Sequence, residues 1–228
     1  MAGICTTFIF EQRICSAVAV DAAIGIHNSV YLYVTRCIQP PVRSQRTMNL
    51  FLLHRKHGKN VRKYCNRHAV KMVLETAQLL WAAAHVGGAP LDNLSVTPYK
   101  LTHKWHPTAI WVRKTLENWE YTIKFAFKLS QEYTRRYNKV HKCHAHFVAL
   151  KKLGYYPPLE TREIKNACGK IKKTKCTPFP LAMPVECVVY RNNKVDAVRS
   201  YRKFYKKKNK EWTEKGRPMK YTTKFCEV

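Results

Sequence analysis

Between Cys65 and His85 the chain places polar and ionisable residues at helical spacing. At about 100° per residue, His68, Lys71, Glu75, Gln78 and His85 fall within roughly a quarter-turn of one another. Val70, Val73, Leu74, Ala77, Leu80, Trp81 and Ala84 share another side, which is expected to face the core. Glu75 is thus a single carboxylate on a basic stripe, in a chain with 42 Lys and Arg against 14 Asp and Glu. Such a group is either a solvated surface acid or an ionisable group with a task. The tasks open to it are moving protons and stabilising developing positive charge, while His68 and Lys71 are suited to holding phosphates.

The elements that position this stripe can be read on either side of it. Met48-Asn49-Leu50-Phe51-Leu52-Leu53 is a short apolar opening, and His54 to Lys63 reads as a basic loop. The helix ends at Gly87-Gly88-Ala89-Pro90. Pro107 suits the first turn of a second helix containing Ile110, Trp111 and Val112. A third helix is expected from about Leu116 to Tyr137, with Trp119, Ile123 and Phe127 inward, joined on that side by Ser130 or Tyr133, and a short one over 139–152. Residues 154–194 contain five prolines and read as irregular, and Asp196 is placed to cap a last helix reaching Lys208. The expected fold is mainly α: one helical domain with an irregular Pro-containing segment, a basic C-terminal helix and tail, and little β-structure.

Charge and composition restrict the partner. A net charge of +28 implies a polyanion, while 46% hydrophobic residues supply a core and exclude a disordered basic tail. Residues 1–47 carry only +2 of that charge, and their apolar stretch is too broken for a membrane span or a signal sequence. With Pro40-Pro41 as a linker, they read as a leader or N-terminal extension ahead of a basic domain over 48–228. Nine cysteines, with no Cys-x-x-Cys, point to reduced thiols in an intracellular setting, whether host cytoplasm, host nucleus or virion. No membrane partner is expected.

Near the C-terminus, Arg199, Arg202, Lys203, Lys206, Lys207, Lys208 and Lys210 interleave with Tyr201, Phe204, Tyr205 and Trp212. Cations bind phosphates and aromatic faces stack on exposed bases, so the pattern suits distorted or single-stranded nucleic acid; a packed aromatic stripe with a solvated basic face is the alternative. His103-x-x-His106, Cys65-x-x-His68 and Cys143-His144-x-His146 raise a metal site, but none recurs at finger-like spacing, and histidines facing phosphate or satisfied internally are the default. Neither a Walker loop nor a dinucleotide fingerprint is present. No metal or organic cofactor is expected.

Several motifs carry a resemblance: Cys65-x-x-His68-x-x-Lys71-Met72-x-Leu74-Glu75-x-x-Gln78-Leu79-Leu80, Thr102-His103-Lys104-x-His106-Pro107, Trp111-Val112-Arg113, Glu132-Tyr133-x-x-Arg136-Tyr137 and Thr177-Pro178-Phe179-x-x-Ala182-Met183-Pro184. Over 48–228 the chain resembles a family of small proteins of tailed phages and large DNA viruses described as pyrimidine-dimer DNA glycosylase-like. It is also distantly similar to phage endonuclease V, a helical pyrimidine-dimer glycosylase and abasic-site lyase whose nucleophile is its N-terminal amine. Its catalytic Glu follows a His by seven residues, the separation of His68 and Glu75 here. The resemblance implies that an amine at Met48 or Asn49 attacks the sugar and that Glu75 moves the protons. His68, Lys71, His103, Lys104, His106, Arg113, Arg136, Arg202, Lys203 and Lys206 are the expected DNA-binding residues, on double-stranded DNA that is distorted or damaged. The rival expectation is a non-enzymatic viral protein that organises or packages the genome, with Glu75 an ion-pair residue.

Overall fold

The computed structural model describes residues 48–156 and 176–222, and the fold is mainly α. Residues 1–47, expected as a leader or N-terminal extension, part of the irregular Pro-containing stretch and the end of the basic tail lie outside the described residues. Among those described, the helices are α1 (His57–Arg62), α2 (Asn66–Val86), α3 (Pro107–Lys114), α4 (Leu116–Tyr137), α5 (Cys143–Leu153) and α6 (Ala197–Glu214). A 3-10 turn at Val185–Cys187 precedes a minimal antiparallel hairpin, β1 (Tyr190–Arg191) and β2 (Lys194–Val195).

The centre of the fold is α2, packed by α3, α4 and α5. Its second half, Leu79 to Ala84, is buried at every position, and four of those six side chains other than the two leucines are Trp81 and three alanines. Alanine leaves little bulk, so neighbouring helices approach closely while Trp81 fills the larger gap. Local sequence sets the next two helices. Pro107 occupies the first turn of α3, where a missing N–H costs nothing, and His106 caps it by accepting from the Thr108 N–H. Thr115 caps α4 by accepting from the Asn118 N–H, and Asn138 ends it in the left-handed conformation with φ 50°.

Residues 48–53 run through the core without a strand partner. Their backbone groups are satisfied by side chains instead, as burial requires. The Phe51 N–H donates to the Tyr64 hydroxyl, which in turn donates to the Phe51 carbonyl. The Leu53 and His54 N–H groups both donate to Asn60 Oδ1, and Asn60 Nδ2 donates to the Phe51 carbonyl. Arg202 Nε donates to the Leu53 carbonyl. The expected basic loop therefore contains a short helix, α1, that carries Asn60 and leads into Tyr64. Six residues are too few for an amphipathic repeat to announce it.

Across this segment lies α6, capped by Asp196 accepting from the Arg199 N–H. It continues six residues past the expected end at Lys208, because nothing breaks it before Gly216, whose φ is +65°. Buried Tyr201 and Tyr205 fix it to the core. The Tyr205 hydroxyl accepts from the Cys65 N–H and meets His68 Nδ1, and the Asn66 N–H donates to the Lys220 carbonyl. The start of α2 is thus closed by α6 and the chain beyond it.

The faces of α2 depart from the pattern expected of them. Val70 and Leu74, assigned to the core, are 40% and 37% exposed, whereas His68 and Glu75 are buried. Periodicity identifies which residues share a side but not what covers that side. Here the 48–53 segment and α6 lie over the polar side at His68 and Glu75, while Lys71 stays exposed.

Candidate active site

A cleft of about 260 Å³ opens where the first half of α2, the 48–53 segment and α6 meet. Asn49, Phe51, Arg67, His68, Lys71, Met72, Glu75, Phe204, Lys208 and Trp212 line it. At its floor the residue Glu75 is 5% exposed. Its two carboxylate oxygens have different partners: Oε1 pairs with Lys71 Nζ at 2.8 Å, and Oε2 accepts the backbone N–H of Asn49 at 3.1 Å. Lys71 keeps about half of its side chain in solvent, so this ion pair spans from the floor to the mouth.

The Asn49 position is fixed from several directions. Its side-chain amide donates to the Ala182 carbonyl and accepts from the Tyr201 hydroxyl. Residues 176–184 are in turn tied to α4, where Asn118 donates to Thr177 Oγ1 and accepts from the Thr177 N–H. Phe179 packs on Trp111 and Tyr201. The Thr-Pro-Phe segment of the sequence is therefore a brace behind Asn49.

His68 stacks on Phe51, with centroids 4.7 Å apart. Burial, reinforced by the charges of Lys208, Lys71 and Arg67, lowers its pKa to about 3. Near neutral pH it presents an uncharged imidazole to the cleft, so it is no cationic phosphate ligand. The cations are Arg67, Lys71 and Lys208. Arg67 lies over the Trp212 ring at 4.9 Å, and Lys208 lies 5.2 Å from the Phe204 centroid and 5.7 Å from that of Trp212. Burial pushes the Lys208 ammonium below the ordinary lysine range; Glu211 opposes that shift and Lys71 adds to it.

Of the sequence-expected residues, the cleft brings together Asn49, His68, Lys71 and Glu75, with Met48 buried beside Asn49. His103, Lys104 and His106 stand on the loop before α3 and are not among the lining residues. Arg202 contributes to a second, smaller depression with His54, Arg55, Val198, Arg199 and Asp196, while Lys203 and Lys206 are exposed on α6. Two of the expected DNA-binding arginines use their guanidinium groups inside the protein, and Arg202, His68 and His106 also have internal partners. Arg113 is buried and donates to the Lys104 carbonyl at 2.6 Å. Arg136, whose side chain is fully buried, binds Glu132 and the carbonyls of Val61, Arg62 and Tyr64, closing the turns between α1 and α2. Burial works against ionisation of Glu132, but its hydrogen bonds to Arg135 and Arg136 outweigh this and hold its pKa below the ordinary range.

Arg67 and Phe51 are not among the expected site residues, and Lys208 is expected only within the basic and aromatic C-terminal run rather than beside Glu75. The i, i+4, i+8 spacing of Phe204, Lys208 and Trp212 could have signalled a shared face. In the Cys143-His144-x-His146 group each side chain has another partner: His146 accepts from Trp81 Nε1, His144 meets Ser130, and Cys143 meets the Tyr99 hydroxyl. Among the described residues, no group of three or more His, Cys, Asp or Glu comes together to hold a metal ion. No described helix is long and apolar enough to cross a membrane. No family model, curated protein or solved structure matches this chain.

Proposed function

We propose that the cleft acts on damaged DNA as a glycosylase and abasic-site lyase, through a primary amine at the start of the 48–53 segment with Glu75 as proton-transfer group. The observation that supports this reading is the 3.1 Å contact between the Asn49 nitrogen and the Glu75 carboxylate at the floor of a cationic cleft. In a chain that begins at Asn49, that nitrogen is an α-amine. With a pKa near 8, an α-amine is neutral far more often at physiological pH than an exposed lysine.

The neutral amine attacks C1′ of the damaged nucleotide, and the base leaves with the C1′–N electron pair and takes up a proton. Glu75 carries a proton released by the attacking nitrogen to O4′, the C1′–O4′ bond breaks, and the nitrogen lone pair closes the C1′=N bond of an iminium. Glu75 then accepts a C2′ proton, and the 3′-phosphate departs with the C3′–O electron pair. Water hydrolyses the iminium and restores the amine. Arg67, Lys71 and Lys208 suit the flanking phosphates, and Phe204 and Trp212 suit a base displaced from the stack.

The Lys71–Glu75 ion pair favours a second reading, in which the carboxylate is structural and the protein binds viral genome without cleaving it. Chains beginning at residues 1, 48 and 49 separate the two when incubated with abasic-site DNA and borohydride. Starting at Met48 displaces the amine by one residue, about 3.5 Å. The lyase reading expects a trapped adduct from the shortened chains and little from the chain that retains residues 1–47. Equal trapping by all three moves the amine to a side chain, Lys71 or Lys208. Absence of any adduct leaves the genome-binding reading.

A further inference from the structure

Trp105 is 73% exposed, although Trp is among the side chains with most to gain from burial. It is presented by a loop of fixed shape. His103 adopts a left-handed conformation with φ 51°, the His106 N–H donates to the His103 carbonyl at 2.9 Å, and the His106 ring caps α3. The buried Arg113 guanidinium donates to the Lys104 carbonyl, immediately before the indole. Taking a guanidinium out of water is costly, so its use on this carbonyl fixes the conformation in which Trp105 stands outward.

The surroundings of the ring point to the partner. Lys104 Nζ lies over the indole at 4.9 Å, and Lys100, His103 and Lys104 are exposed beside it. Leu101 is the other exposed large apolar residue in this stretch, so the indole does not belong to a broad apolar patch. A rigid aromatic face among cations fits a ligand that alternates negative charge with flat rings. We infer that the 100–106 loop is a base-stacking contact, in which Trp105 stacks on an unpaired base of a nucleic acid strand while Lys100 and Lys104 meet its phosphates. Cations alone would be satisfied by any polyanion, but the indole adds a requirement for bases. The inference rests on the nucleic-acid reading of the charge and is independent of whether the cleft is catalytic.

The test measures binding of the full chain and of Trp105→Ala and Trp105→Phe to three probes: oligothymidylate, a length-matched strand of base-less tetrahydrofuran spacers, and vesicles containing phosphatidylserine. The indole is exposed, so the fold should survive both substitutions, which circular dichroism checks. Trp105→Ala is expected to weaken oligothymidylate binding roughly 5- to 150-fold, the range for losing one stacked base, and to leave the base-less strand unchanged. Trp105→Phe should restore most of the loss. Equal losses on both strands, or no loss on either, overturn the stacking contact while leaving the polyanion reading intact. A loss confined to vesicles overturns it in favour of a membrane surface. Failure of the unsubstituted chain to bind either strand removes the nucleic-acid reading itself.

Discussion

Replacing Asn60 by Ala should destabilise the domain by about 3 kcal/mol. The side chain is 1% exposed and organises the segment that carries Asn49 into the cleft. Removing it leaves the Leu53 N–H, now held at 2.7 Å, buried without an acceptor, and it deprives the partly buried His54 N–H of the same oxygen. The Phe51 carbonyl loses one donor but keeps the Tyr64 hydroxyl. A buried unsatisfied donor costs about 1–3 kcal/mol, and a partly buried one falls toward the lower end, which gives the total. For a domain of this size the expected fall in Tm is about 6–12 °C. Urea titration checks the energy, and Tyr64→Phe should show a smaller loss of the same kind. A change below about 1 kcal/mol for Asn60→Ala would refute the view that side chains substitute for a strand partner along 48–53.

Arg136→Ala should cost about 3–5 kcal/mol, since it removes a buried cation from Glu132 and from three carbonyls, while the affinity of the folded fraction for DNA stays the same. The depressed pKa of His68 means that the unfolded chain binds a proton there between about pH 6.5 and 3 while the folded chain does not. Stability is therefore expected to fall as pH drops through that window, by at most about 1.4 kcal/mol per unit from this residue, and His68→Gln should flatten the slope measured by urea titration. DNA affinity should fall by about three decades between 50 and 200 mM salt if six or more phosphates are engaged, and a flat dependence would contradict the polyanion reading.

The parts of the fold legible in the sequence are those with local punctuation. Pro107 opens α3 where it is expected, and α4 spans the expected 116–137, where the structure shows Thr115 and Asn138 as its caps, because such signals act within a few residues of themselves. Without such signals α1 is not legible, and α6 runs past the expected end at Lys208 because no breaker comes before Gly216. Among the candidate site residues, His68, Lys71 and Glu75 were legible because helical spacing alone brings them together. Their environment was not legible, since the burial of His68 and Glu75 depends on α6 crossing from more than a hundred residues away. The same limit applies to Arg113 and Arg136. Their charge suggested phosphate, but whether a guanidinium faces solvent or a buried carbonyl is decided by tertiary packing.

In the proposed reaction Glu75 acts on chemistry rather than on binding. The most direct test is single-turnover cleavage of abasic-site DNA by a chain beginning at Asn49, with and without Glu75→Gln, measured beside equilibrium affinity for the same DNA. Cleavage should slow roughly a hundredfold or more, with affinity unchanged or raised by removal of a negative charge from the cationic cleft. Cleavage at the unsubstituted rate, or an affinity that falls in step with the rate, would contradict that role.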